Sequence, residues 1–201
     1  MIAIIDYGMG NLASVYNAFV KTGFGDIKIT SDPDDLRRAD KLVLPGVGAF
    51  EDAMKNLTRD KLVGPILESV AAGKPFLGIC LGYQLMFERS YEGGSFEGLG
   101  IMKGEVVRFD VSLPVPHMGW NETAIRDGAG VFDGLAGNVY FYFDHAYYPL
   151  PSDESVIAGM TEYETVFVSA VRKGNIYGAQ FHPEKSHNNG LKIISNFGKL
   201  K

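Results

Sequence analysis

Phe76-Leu77-Gly78-Ile79-Cys80-Leu81-Gly82-Tyr83-Gln84 reads as an apolar run over residues 76–79 that meets a cysteine and then a helical pattern over 81–88. Glycine two residues before and two after Cys80 is the spacing of a nucleophile elbow, where strand turns sharply into helix and backbone passes close to a strained residue. The thiol is thereby lifted clear of a sheet, and a helix N-terminus behind it favours thiolate over thiol. Cys80 is the only cysteine among 201 residues, and the bland alternative for such a residue is a buried core position.

Similar runs at residues 2–5 and 42–44, without polar alternation, mark strands covered on both faces and hence a parallel sheet. Leu12, Val15, Tyr16, Phe19 and Val20 fall on one helix face, as do Leu62, Val63, Ile66, Leu67 and Val70. The first half is thus βαβα, which predicts an α/β fold with a flavodoxin-like, doubly wound, largely parallel central sheet. In the second half, residues 106–109, 138–143, 156–160, 166–171 and 176–181 read as strands divided by Gly, Pro and Asp turns, with a hairpin at Lys173-Gly174-Asn175. A last helix is expected from about Asn189 to Phe197. The prediction is an antiparallel elaboration within a single domain over residues 1–201.

Composition narrows the functional classes. A hydrophobic content of 46% supports a sizeable core. A formal charge of −5 with both signs interspersed gives no footprint for nucleic acid or an anionic membrane. Small molecules or proteins are the expected partners. One cysteine excludes an internal disulfide and a multi-cysteine metal site, and suits a reducing, cytoplasmic location. Met1-Ile2-Ala3-Ile4-Ile5-Asp6 reads as a strand rather than a signal peptide, and no apolar run reaches the ~18 residues of a membrane span.

Gln180-Phe181-His182-Pro183-Glu184 ends the last expected strand. Pro183 keeps His182 out of the helical region, and in extended chain residues i and i+2 face the same way, so Glu184 is placed to hydrogen-bond the imidazole. That supplies a base and its orienter for a thiol nucleophile. His117, His145 and His187 compete for the base role, although His187 lies in a polar turn. Leu42-Val43-Leu44-Pro45-Gly46-Val47-Gly48 carries a strand into a glycine-rich turn. The N–H groups of Val47 and Leu81 are candidates for an oxyanion hole around Gly46. A rival signal is Asp6-Tyr7-Gly8-Met9-Gly10-Asn11-Leu12-Ala13, which fits a dinucleotide-binding turn with Asp32 about 20 residues on.

Taken together these segments resemble the class I glutamine amidotransferases, over essentially the whole chain. The 6–11, 45–48, 78–84, 116–121 and 181–186 segments resemble, within that superfamily, the glutaminase subunits of imidazole glycerol phosphate synthase. The resemblance implies a catalytic triad of Cys80, His182 and Glu184, hydrolysis of L-glutamine through a cysteinyl thioester, and no metal or organic cofactor. It also implies a heterodimer with a separate (βα)8-barrel cyclase subunit, which receives ammonia through a shielded route and uses it in histidine biosynthesis. Gly48 and Gln84 match positions that line the family's glutamine pocket. Glu92 is a candidate for the substrate α-ammonium.

Phe143-Asp144-His145-Ala146-Tyr147 stands where the family shows Val-His-Ser-Tyr. Ala146 has no hydroxyl, so a carboxylate contact at His145, Ala146 and Tyr147 would use backbone N–H. Asp144 has no counterpart in that pattern. Asn11, Trp120 and Lys185 are candidate partner contacts, Trp120 because His117-Met118-Gly119-Trp120-Asn121 reads poorly as sheet core and aromatics are enriched at interface centres. A nucleotide-binding protein using Gly8 and Gly10, and a catalytically silent interaction subunit, are the competing readings.

Overall fold

The computed structural model describes residues 1–126 and 130–201. Its strands are β1 (Ile2–Ile5), β2 (Ile27–Thr30), β3 (Lys41–Gly46), β4 (Phe76–Cys80), β5 (Arg89–Ser90), β6 (Phe96–Glu97), β7 (Gly104–Arg108), β8 (His117–Ile125), β9 (Gly137–His145), β10 (Tyr147–Pro151), β11 (Ile157–Tyr163), β12 (Thr165–Lys173) and β13 (Ile176–Ala179). Its helices are α1 (Leu12–Lys21), α2 (Pro33–Arg38), α3 (Phe50–Arg59), α4 (Val63–Ala71), α5 (Leu81–Gln84) and α6 (His187–Lys199).

The main sheet has nine strands in the order β2-β1-β3-β4-β13-β12-β11-β8-β9. From β2 to β13 the strands are parallel and follow the flavodoxin-like doubly wound order. Beyond β13 every pairing is antiparallel. The β12–β13 hairpin turns at Gly174, whose φ of 59° suits glycine. A second sheet of four strands, β10-β7-β5-β6, stands beside it.

Side-chain alternation explains why both faces of the parallel half must be covered. Ile2 and Ile4 join Val15, Phe19, Ile193 and Phe197 on the side of α1 and α6, whereas Ala3 and Ile5 join Leu36, Leu57 and Ile66 on the side of α2, α3 and α4. With helices on both faces, an unbroken apolar run is the required strand sequence. Among the described residues, no helix is long and apolar enough to cross a membrane.

Three local expectations are corrected. The helix after Cys80 is one turn long, α5, rather than continuing to Glu88. Leu85, Met86 and Phe87 are all fully buried, so their apolar run reflects enclosure on every side rather than one face of a helix. The segment holding Trp120 is a nine-residue strand, β8, paired with β9 from His117↔His145 to Ile125↔Gly137. The last helix begins at His187, two residues before the expected start.

Candidate active site

Cys80 ends β4 with φ 54° and ψ −110°, a conformation L-residues adopt only under constraint. The glycines around it supply the room. A Cβ at Gly82 would stand 1.8 Å from the Leu44 carbonyl oxygen, and one at Gly78 would stand 2.5 Å from Met86 Sδ. Because α5 is a single turn, the dipole behind the sulfur is that of one turn and not of a long helix. The sulfur lies 3.7 Å from the Asp144 carbonyl oxygen, and Gln180 Nε2 donates to the sulfur at 3.9 Å.

His182 lies just past the end of β13. Its backbone N–H donates to the Tyr142 carbonyl oxygen at 2.9 Å, and its own carbonyl accepts from Ser186 Oγ at 2.7 Å. Both bonds tie His182 to β9 and to the start of α6. Glu184 Oε1 accepts from His182 Nδ1 at 2.8 Å, with both side chains buried. The route differs from simple extended-chain alternation: Pro183–Lys185 forms a 3-10 turn, closed by Lys185 N–H to the His182 carbonyl, and this turn swings Glu184 back to the ring. With Nδ1 held by Glu184, Nε2 is the nitrogen available to the thiol. Burial acts to lower the imidazole pKa, but the Cys80 sulfur and then Glu184 overcome it and raise it to about 10. The proton is therefore favoured on the His182 imidazole.

The register Gly46↔Cys80 brings the glycine-rich turn alongside Cys80. Tyr7 Oη donates to the Pro45 carbonyl oxygen at 2.9 Å and underlies Gly46, where a Cβ would meet that hydroxyl at 2.3 Å. Val47 is exposed, and Gly48 has φ 102°. Val47, Gly48, Cys80, Leu81, Gln84, Glu92, Asp144, His145, Ala146 and Tyr147 line one cavity of about 160 Å³. The candidate substrate residues Gly48, Gln84, Glu92, His145, Ala146 and Tyr147 are thus brought together with Cys80. A larger cavity of about 420 Å³, lined by Arg126, Asp153, Ser155, Arg172 and Lys173 among others, shares no lining residue with it and has neither cysteine nor histidine among its described lining residues. Size does not identify the site here; chemistry does.

Several of these side chains do more than line the cavity. Glu92 Oε2 accepts from Phe50 N–H at 2.8 Å and so caps α3, whose own N-cap residue, Ala49, has no side-chain acceptor. Gln84 Nε2 donates to the Tyr147 carbonyl oxygen at 2.8 Å and to Gln180 Oε1 at 3.1 Å. Sequence reasoning missed Gln180 and Tyr7 as parts of the site, although Gln180 opens the His-Pro-Glu segment and Tyr7 the Gly8–Gly10 turn. It also left Asp144 without a role, and the structure gives that residue's carbonyl one.

Of the other histidines, burial lowers the pKa of His145 to about 3 and of His117 to about 4, so neither holds a proton for catalysis near neutrality. His187 is exposed and stacks on Trp120 with ring centroids 4.9 Å apart. Trp120 and Met118 are 46% and 61% exposed, and Lys185 Nζ lies 5.5 Å from the Tyr142 ring centre. Asn11 is exposed and caps α1 by accepting from Ser14 N–H at 3.3 Å. The features of the dinucleotide reading are engaged locally: Asp6 Oδ1 takes the Gly8 N–H at 3.0 Å, and Asp32 caps α2 through Asp34 N–H at 2.9 Å.

Known proteins share this arrangement of segments. The chain is 52% identical over 206 residues to imidazole glycerol phosphate synthase subunit HisH of Sulfurimonas denitrificans, spanning 100% of this chain and 99% of that one. The subunit of the same name from Syntrophotalea carbinolica is 51% identical over 207 residues, spanning 100% of both. Among solved structures, PurLQS from Thermotoga maritima superposes with a TM-score of 0.77 at 20% identity, covering 100% of this chain and 98% of that chain. A crystal structure of glutamine amidotransferase gives 0.76 at 18% identity, covering 98% and 100%. At that identity the superpositions speak for the fold. The family model for glutamine amidotransferase class-I matches residues 3–200, and with a cysteine elbow and a glycine turn at one cavity and a buried His–Glu pair coupled to the sulfur, this chain belongs to the class-I glutamine amidotransferase family.

Proposed function

We infer that the chain is the glutaminase subunit of an imidazole glycerol phosphate synthase, which hydrolyses glutamine and supplies ammonia to a partner subunit in histidine biosynthesis. The observation that carries the chemistry is that Cys80 shares one cavity with Val47 and Gly48 of the glycine-rich turn, while the sulfur acts on His182, whose ring Glu184 holds. The full-length identity of about half to HisH subunits supports the choice of synthase.

The Cys80 thiolate attacks the side-chain amide carbon of glutamine, and the tetrahedral oxyanion rests on backbone N–H groups near Val47 and Leu81. His182 gives its proton to the leaving nitrogen, so ammonia departs and a thioester remains. The neutral imidazole then takes a proton from water, whose oxygen attacks the thioester carbon. Glutamate leaves and the sulfur again pairs with imidazolium. Glu184 holds the ring by Nδ1 throughout. Glu92 is positioned in the cavity wall to meet the α-ammonium, and Gly48, Gln84 and the 145–147 backbone bound the rest. No step calls for a metal or cofactor.

The partner is a (βα)8-barrel cyclase that docks against the outer face of β8 and β9. Met118, Trp120 and Tyr140 are exposed there, and Lys185 stands beside them over Tyr142. Apolar and aromatic side chains left in water at a sheet end are a recognised mark of an interface. Asn11 is a further proposed contact, at the exposed start of α1, whose Ser14 and Asn17 line a cavity with Lys185 and His187. Docking carries ammonia into the barrel before water protonates it, and the reducing cytoplasm suits a free catalytic thiol. A thiol-directed glutamine analogue tests the reading: stoichiometric labelling of Cys80, blocked by glutamine, supports it, and labelling that glutamine does not slow contradicts it.

A further inference from the structure

An unbroken line of buried and partly buried hydrogen bonds runs from β8 to Cys80. Asn121 Nδ2 stands 3.1 Å from His117 Nε2, His117 Nδ1 stands 3.1 Å from His145 Nε2, and His145 Nδ1 stands 2.8 Å from the Tyr147 carbonyl oxygen. The same carbonyl accepts Gln84 Nε2, which also donates to Gln180 Oε1, and Gln180 Nε2 points at the sulfur. His117 and His145 are 3% and 5% exposed and face each other across the β8–β9 ladder.

Chemistry fixes the polarity of this line from both ends. Asn121 Nδ2 donates to the Glu162 carbonyl at 2.8 Å, and Asn121 Oδ1 accepts from Glu122 N–H at 2.7 Å, so the amide cannot be flipped. Its remaining hydrogen goes to His117 Nε2, which leaves the proton of a neutral His117 on Nδ1. That proton goes to His145 Nε2, and the His145 proton sits on Nδ1 facing the Tyr147 carbonyl. A carbonyl only accepts, so the far end demands the same tautomer independently. Burial keeps both rings neutral near pH 7. A second proton on either ring would set N–H against N–H.

The rings are also held mechanically. His117 is sandwiched between Tyr163 and Phe143, with centroids 4.1 and 4.8 Å away at interplanar angles of 29° and 26°. His117 and Asn121 point inward from β8, while Met118 and Trp120 point outward from the same strand. None of this is needed to fold a sheet end, where apolar side chains would serve. Polar groups held in one donor–acceptor order are costly if any link fails.

We propose that Asn121 and His117 are positioning residues for the glutamine pocket, setting the Tyr147 carbonyl and the Gln84 and Gln180 amides through His145, and so tying the pocket to the strand that bears Met118 and Trp120. This rests on the reading that the cavity beside Cys80 takes glutamine. The line places the carbonyl that orders Gln84, and Gln84 is a wall of that cavity, so its failure is felt as weaker glutamine binding.

Substitution at His117 separates stacking from hydrogen bonding. His117→Phe keeps the aromatic sandwich but neither donates nor accepts, whereas His117→Gln loses the sandwich and offers both an acceptor to Asn121 and a donor to His145. Steady-state glutaminase kinetics of the assembled two-subunit enzyme are expected to show KM for glutamine raised about five-fold in His117→Phe, the worth of one hydrogen bond. His117→Gln is expected to recover part of that loss, and kcat per alkylatable Cys80 to stay within about two-fold of wild type in both. A structural role alone leaves KM unmoved in both variants and makes His117→Gln, which loses the aromatic sandwich, the less stable of the two. ¹⁵N NMR of the full wild-type chain supplies a readout that needs neither substrate nor variants. Neutral Nδ1–H tautomers at both His117 and His145 agree with the proposal; an Nε2–H tautomer at either ring overturns it, whatever the fate of the glutaminase reading.

Discussion

Gly82 lies so close to Leu44 that a Cβ on it would stand 1.8 Å from the Leu44 carbonyl oxygen. The elbow carrying Cys80 therefore depends on hydrogen in place of a side chain at a position two residues away. Gly82→Ala is expected to cost at least about 3 kcal/mol and to remove glutaminase activity, since a backbone oxygen cannot step aside as a flexible side chain can. Gly73→Ala is the control: φ is +79° but nothing lies within 4 Å, so only the left-handed backbone resists, at about 1–2 kcal/mol. Urea unfolding of the two variants measures the contrast.

The His182 proton is held mainly by its neighbour. Burial depresses the imidazole and Cys80 is the leading group that raises it, to about 10. Cys80→Ala is thus expected to lower the His182 pKa, as read by ¹⁵N NMR titration. Substituting His182 by Asn should leave the pocket intact and reduce kcat by roughly 10²–10⁴-fold, the range for a lost acid–base group.

Glu92 has two separable duties. Its carboxylate caps α3 through Phe50 N–H and stands in the cavity wall. Glu92→Gln keeps an acceptor for the cap but loses the charge for an ammonium, so KM for glutamine is expected to rise about ten-fold with Tm unchanged. Glu92→Ala is expected to raise KM similarly and also to cost about 1 kcal/mol of stability through the lost cap. Equal Tm values for the two variants would remove the capping role.

Acid should destabilise the fold through two histidines before their native forms titrate. The folded pKa values of about 4 for His117 and about 3 for His145 lie below the unfolded value of 6.5. As pH falls from 6.5 toward 4 the unfolded chain binds up to two protons that the native chain refuses, so the stability present above pH 6.5 is progressively lost. Each histidine contributes a slope approaching roughly 1.4 kcal/mol per pH unit. His117→Phe is expected to flatten the difference between pH 7 and pH 4.5 by about half of that two-histidine contribution.

The parallel half was legible because β1, β3 and β4 are buried on both faces, which leaves an unbroken apolar run that few other structures require. The cysteine elbow was legible because close backbone approach forces Gly78 and Gly82, and the His182–Glu184 pairing because Pro183 fixes the chain beside His182. β8 was illegible for a physical reason: Met118 and Trp120 face out while His117 and Asn121 face in, so the usual alternation runs backwards. β2 and α3 carry mixed polar patterns whose burial depends on partners far along the chain. Glu92 as a cap on Phe50, and Tyr7 beneath Gly46, are contacts across 42 residues and between separate loops, which local spacing does not encode.

The measurement that tests the central claim most directly is release of ammonia and glutamate from glutamine by wild type and Cys80→Ala, each with and without a barrel cyclase subunit and its ribotide ligand. The account predicts turnover that needs Cys80, is low for the chain alone and rises strongly with the liganded cyclase. Substantial turnover by Cys80→Ala would contradict the mechanism, and Cys80-dependent turnover indifferent to that cyclase would contradict the assignment to this synthase.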